Sequence, residues 1–194
     1  MTKKLNIALI GCGGWGKNIA RNLHQIGALA CIYDSDQNLS KKLNQDFKLH
    51  DYTINDIFRN ENIQALVIAS SAKTHRDIAE EALKNNKDVL IEKPFCLSLN
   101  DAITLSKLAI KKNKVLMAGH LLNYHNAFIK MQDLIREGKI GETKNIRAQR
   151  LALGAIRSHE SVIYDLAVHD VSMILAIMQE LPVKINAHSI HHNT

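Results

Sequence analysis

Glu92-Lys93-Pro94 closes a short apolar run at 89–91. A lysine at the carboxyl end of a strand can hydrogen-bond a reacting hydroxyl and stabilise negative charge developing on its oxygen. The same triplet also describes a surface lysine before a turn proline. Further along, Asp165 and His169 stand four residues apart in Asp165-Leu166-Ala167-Val168-His169-Asp170, which places both on one helical face. An imidazole takes a hydroxyl proton near neutral pH, and a neighbouring carboxylate orients it. A metal pair or an ordinary polar helix face would show the same spacing. Zinc would need further ligands at matching intervals, and the closing His188, His191 and His192 read as a frayed, solvated end, so no metal is expected.

A second motif handles phosphate rather than protons. Gly11-Cys12-Gly13-Gly14-Trp15-Gly16 fits G-x-G-x-x-G between an apolar run and a helical pattern. In that setting the first glycine permits a tight turn, the second lets a pyrophosphate approach the backbone, and the third lets helix and strand pack closely. The helix start adds N–H groups without helical partners and a positive dipole end. Asp34, near the ~20-residue offset at which a ribose-binding carboxylate is expected, would accept bonds from ribose hydroxyls and repel a 2′-phosphate. This favours NAD over NADP, although Asp34 also suits a turn cap beside Ser35 and Asp36.

These residues need a scaffold, and the chain alternates strand and helix patterns through its first two thirds. Apolar runs at 5–10, 28–33, 65–69, 89–91 and 115–118 predict strands, and 15–26, 37–47, 75–84 and 100–111 predict helices. Short strands separated by helices imply βαβ units and a mostly parallel sheet. After Gly119 the pattern predicts a helix over 124–137 closed by Gly138, an antiparallel strand over 143–152, a helix over about 161–178 and a strand over 183–187. The fold class is therefore α/β. An N-terminal Rossmann doubly wound parallel sheet, residues 1–119, precedes a partial α+β substrate and oligomerisation domain, residues 120–194.

Composition narrows the partners. The 194 residues carry a net charge of +6, which suits an anionic ligand, but no Lys/Arg block or aromatic–basic pattern points to nucleic acid. Cys12, Cys31 and Cys96 are widely spaced and unpaired in number, which fits packed thiols in a reducing cytoplasm. No run approaches the ~20 apolar residues of a membrane helix, so neither membrane nor nucleic acid is an expected partner.

Together the motifs resemble the glucose–fructose oxidoreductase/inositol dehydrogenase (Gfo/Idh/MocA) family. The matching stretches are GCGGWGKNIARNL, SSAKTHRDIAEEALKNNKDVLIEKPF and the Asp165-to-His169 pair, with AGHLLNYHNAF, RLALGAIRS and YDLAVHDVSMIL pointing to members that act on UDP-sugars. The resemblance implies an NAD-dependent dehydrogenase that oxidises a sugar hydroxyl, at C3 of a UDP-N-acetylhexosaminuronate, in surface-polysaccharide synthesis. It implies Lys93 as the substrate-contacting lysine, His169 as general base, and Ser70, Ser71, His75 and Glu92 along the cofactor cleft. Tyr124, His125 and Arg157 fall on the substrate side. His125 taken alone also suits a helix start, and Arg157 a surface charge. Two departures stand out. The family carries a proline after the Tyr-His pair where this chain has Asn126, and relatives continue past residue 194 into a large sheet that mediates homo-oligomerisation. A truncated, catalytically impaired NAD-binding or interaction protein of the same fold is the competing expectation.

Overall fold

The computed structural model describes residues 5–151 and 161–189. The chain divides into two compact units between Gly119 and His120.

The first unit is built on five parallel strands, β1 (Ile7–Ile10), β2 (Leu29–Tyr33), β3 (Ala65–Ile68), β4 (Asp88–Glu92) and β5 (Leu116–Gly119), in the order β2-β1-β3-β4-β5. Helices α1 (Gly16–Gln25), α2 (Gln37–Asp46), α3 (Ile54–Arg59), α4 (Ala72–Lys84) and α5 (Leu99–Lys112) make the connections. The strands read as continuous apolar runs because both faces of the sheet are covered. Ile10, Leu66, Ile68 and Ile91 pack with Ala79, Leu83 and Leu105 of α4 and α5 on one side. Leu9, Ile32 and Val67 pack with Ala20 of α1 on the other. The outer edge at β2 is closed by a side chain. Buried Asn44 of α2 accepts from the Ile32 N–H at 2.8 Å and donates to the Ile32 carbonyl at 2.8 Å, supplying the pairing that an edge strand lacks.

The order of strands reverses between β1 and β3, and ligands of open α/β sheets bind at such a switch point, beyond the carboxyl ends. Register aligns those ends: Ile10 pairs with Tyr33 and with Ile68, Ile68 with Ile91, and Glu92 with Gly119. Gly11, Asp34, Ala69 and Lys93 therefore begin one row of loops along the same rim.

Helix α3 has no counterpart in the periodicity reading. Its start is set by a capping box, in which Thr53 accepts from the Asp56 N–H and the Asp56 carboxylate accepts from the Thr53 N–H.

The second unit opens with a 3₁₀ turn, Leu121–Tyr124, followed by α6 (Asn126–Arg136), a π-helical turn Ile163–Ala167 and α7 (Val168–Met178). Helix α6 begins two residues later than the sequence pattern suggests, and Gly138, at φ +68°, follows it. Asn126 is its first helical residue, the position that best accepts proline, so the departure from the family at this residue is compatible with the same helix start.

Neither strand expected in this unit forms. Residues 143–151 and 183–187 have no regular structure. Alternation marks a segment able to bury one face, but a strand also needs a neighbour for its backbone groups, and among the described residues the only sheet is the five-stranded one. Val183 and Ile185 are exposed as a result. No helix among the described residues is long and apolar enough to cross a membrane.

Candidate active site

The glycine loop follows β1, and each motif glycine has a separate geometric reason. Gly11 stands at φ +91°, where a side chain is strained, and a Cβ on it would lie 2.4 Å from the Ser70 backbone nitrogen. A Cβ on Gly16 would lie 2.2 Å from the Gly11 carbonyl oxygen. Gly13 and Gly14 instead face open space, with nothing within 4 Å of a Cβ. Two glycines thus serve close packing, and the two between them leave the loop open where α1 begins. The first N–H groups of a helix have no partner within it, and its positive dipole end attracts anions.

Asp34 lies one residue past β2. Its Oδ2 accepts from the Cys12 N–H at 2.6 Å, and its Oδ1 accepts from the Asp36 N–H at 3.0 Å. The carboxylate therefore ties the end of β2 to the glycine loop. The Ser35 hydroxyl also donates to Oδ1, at 3.4 Å, and the two oxygens together offer about four lone-pair sites, which leaves capacity for a ribose hydroxyl. Beside it is a cavity of about 530 Å³, walled by Ile54 and Ile78 with Tyr33, and edged by Gly13, Asp34 and Ser70. Ser70 and Thr74 line it as a hydroxyl pair 2.7 Å apart. Because the Thr74 hydroxyl donates to the Ser71 carbonyl at 2.9 Å, the Ser70 hydroxyl is the donor to Thr74.

Glu92 ends β4. Its Oε1 accepts from the Trp15 indole N–H at 3.0 Å, and its Oε2 from the Lys93 N–H at 3.3 Å. A Cβ on Gly119 would come within 3.1 Å of this carboxylate, so the glycine at the end of β5 makes room for it. Trp15, half-exposed at the start of α1, is joined in this way to the rim that carries Lys93.

Two residues assigned to the cofactor cleft have buried side chains. The Cys12 side chain is buried, and its thiol is pushed up to about 11 by burial and then by Asp34. Cys12 contributes backbone only, and its N–H is already given to Asp34. His75 is 1% exposed, with Nδ1 2.9 Å from the Pro94 carbonyl and Nε2 3.0 Å from the Ser70 carbonyl. It stands behind the cleft lining because the inner stripe of α4 carries it into the core. Cys31 and Cys96 are likewise pushed up by burial, to about 12 and about 11, so none of the three thiols is activated.

In the second unit, Tyr124 ends the 3₁₀ turn and is exposed. The His125 Nδ1 accepts from the Ala127 N–H at 3.3 Å, capping α6. Asp165 lies in the π-helical turn and His169 in the first turn of α7. A π turn carries an extra residue and recurs at functional sites, so the four-residue spacing is re-phased from that of a regular α-helix. Arg150 makes a two-pronged ion pair with Asp170, Nε to Oδ2 at 2.8 Å and Nη2 to Oδ1 at 2.9 Å. The hydrogen-bonded guanidinium holds the Asp170 carboxyl below its ordinary value. Arg157 lies outside the described residues, as do His191 and His192. Among the described residues no group of three or more His, Cys, Asp or Glu side chains is placed to hold a metal ion.

Sequence reading missed Ile54, Thr74 and Ile78 in the cleft, the Trp15–Glu92 bond and the Arg150–Asp170 pair. The Thr53–Asp56 capping box was the available signal for Ile54. The others are tertiary contacts without a local pattern.

Residues 5–120 match the model of an oxidoreductase family with an NAD-binding Rossmann fold, Gfo/Idh/MocA, and the chain belongs to that family. It is similar to UDP-N-acetylglucosamine 3-dehydrogenase of Acidithiobacillus ferrooxidans, 28% identical over 94% of this chain and 57% of the relative. The solved structure of an enzyme of that name and source superposes with a TM-score of 0.87 at 27% identity, covering 98% of this chain and 61% of that one. It is also similar to 2,7-anhydro-N-acetylneuraminate hydratase of Escherichia coli, 27% identical over 75% of this chain and 40% of the relative. The chain thus spans about half the length of these curated relatives. The residues present fit NAD. Open glycines precede a helix start, a carboxylate ends β2, and an apolar wall suits an adenine ring.

Proposed function

We propose that the chain is part of an NAD-dependent dehydrogenase that oxidises a secondary hydroxyl of a UDP-linked N-acetylhexosamine or its uronate, at C3. The observation that carries the reading is the cleft at the β1/β3 switch point, with its glycines facing open space and Asp34 beside them. Similarity over nearly the whole chain to a UDP-N-acetylglucosamine 3-dehydrogenase supports the sugar assignment.

NAD, when bound, supplies the acceptor for the hydride leaving the sugar carbon. Gly13, Gly14 and the start of α1 bind its pyrophosphate, Asp34 a ribose, and Ile54 and Ile78 the adenine. Ser70 and Ser71 border the cofactor, and Glu92 holds the Trp15 side chain at the rim. Lys93 hydrogen-bonds the reacting oxygen and stabilises its negative charge. His169 accepts the hydroxyl proton, and Asp165 orients the imidazole. The family resemblance assigns Tyr124, His125 and Arg157 to the substrate, and the positive charge of an arginine would complement a diphosphate.

The test is to mix the purified chain with NAD and a panel of UDP-sugars and follow the absorbance of reduced cofactor. Reduction with UDP-N-acetylhexosamines or their uronates, and not with free sugars, is the expected result. NAD binding with no reduction across the panel would limit the chain to cofactor binding.

A further inference from the structure

His75 is a fully enclosed polar side chain that the proposed chemistry does not use. It lies on the inner stripe of α4, 1% exposed, and its two ring nitrogens reach in different directions. Nδ1 is 2.9 Å from the carbonyl of Pro94 and Nε2 is 3.0 Å from the carbonyl of Ser70. A neutral imidazole has one N–H, so it donates to one of these oxygens and stands against the other. With the ring proton assigned to Nε2, the ring donates to the Ser70 carbonyl and rests against the Pro94 carbonyl, spanning the gap between them.

What it spans gives it a role. Ser70 lies two residues past β3, and its backbone is the surface against which Gly11 is packed. Its hydroxyl is fixed by Thr74 in the first turn of the same helix. Pro94 lies two residues past β4 and directly follows Lys93. The two carbonyls thus belong to the two loops that carry the cofactor-side serines and the proposed substrate-side lysine. Backbone geometry at a site of this kind has to hold to within about 0.5 Å, and the ladder reaches only one residue past β3, where the Ala69 N–H donates to the Ile10 carbonyl at 2.7 Å.

We propose that His75 is a positioning residue that sets the Ser70–Ser71 loop and the Lys93–Pro94 loop relative to each other, without touching cofactor or substrate. The inference rests on the dinucleotide reading of the cleft.

His75→Gln and His75→Met form a near-isosteric pair that separates this role from core packing. The glutamine amide nitrogen occupies about the place of Nε2 and keeps a donor for the Ser70 carbonyl. Methionine fills the space with no donor. NAD titration at a temperature where both variants are folded by circular dichroism should leave the glutamine variant within ~3-fold of wild type and weaken the methionine variant ~10-fold. A folded methionine variant that binds NAD as wild type does would overturn the proposal, as would equal weakening in both variants. Should the methionine variant not fold, nitrogen-15 NMR of the wild-type histidines decides. The bridge predicts a ring N–H of His75 protected from solvent exchange, and an unprotected ring contradicts it. Failure of wild type to bind NAD would count against the reading of the cleft, and the NMR result would still judge the bridge.

Discussion

Gly13→Val and Gly16→Ala should give opposite phenotypes although both alter one glycine of one loop. At Gly13 an added Cβ meets nothing within 4 Å, so the branched side chain has open space to enter and stability should stay within ~0.5 kcal/mol, as for an ordinary surface change. The same side chain occupies the space through which a pyrophosphate would approach the backbone. Loss of that approach should weaken NAD binding at least ~100-fold, about 2.8 kcal/mol at 1.4 kcal/mol per decade. At Gly16 a single methyl group would lie 2.2 Å from the Gly11 carbonyl. Loop and helix must separate by about an ångström, and overpacking of this kind costs ~1–3 kcal/mol. At about 4 °C per kcal/mol for a unit of this size, its Tm should fall by roughly 4–12 °C. Calorimetric titration with NAD and thermal melts by circular dichroism read the two effects separately. The reasoning fails if the Gly13 variant binds NAD within 3-fold of wild type, or if it melts as early as the Gly16 variant.

Asp34→Ala should weaken NAD about 10-fold and narrow the gap to NADP, because it removes both the ribose acceptor and the charge opposing a 2′-phosphate. Parallel titrations with the two cofactors check this, and an unchanged preference would remove Asp34 from the specificity. Where turnover is observed, Lys93→Met and His169→Asn should each lose at least ~100-fold in rate, with NAD affinity of the His169 variant within a few-fold of wild type. Near-normal rates would exclude the residue concerned. Arg150 lowers the Asp170 carboxyl in the folded state, so the pair contributes stability above about pH 4, the ordinary aspartate value. That contribution, about 1 kcal/mol for a partly exposed pair, is lost as pH falls further through the lowered folded-state value. Asp170→Asn should flatten this part of the acid-unfolding profile, and an identical profile would show that the pair adds nothing.

The first unit was legible because buried parallel strands announce themselves as apolar runs, and because G-x-G-x-x-G acquires meaning from the strand and helix on either side. Helix α3 escaped because six residues are too few to show a period, leaving only Thr53 and Asp56 to mark its start. The strands expected at 143–152 and 183–187 show the opposite failure, in which alternation was present but no neighbouring strand pairs with residues 143–151 or 183–187. The family resemblance places His75 along the cofactor cleft, and the structure buries its side chain behind the lining. Its place in the stripe His75, Ala79, Ala82, Leu83 is the helical pattern of an inward-facing position, and that pattern was the better guide. The bond from Cys12 to Asp34 joins residues that only the fold brings together, so their coupling had no local signal. The same holds for Arg150 and Asp170.

Titration of the purified chain with NAD and NADP tests the central claim most directly, with Trp15, the single tryptophan of the chain, as an internal reporter at the mouth of the glycine loop. Saturable one-site binding of NAD, tighter than NADP and accompanied by a change in Trp15 fluorescence, is the predicted result. A folded chain that shows neither binding heat nor a fluorescence change with millimolar NAD would contradict it.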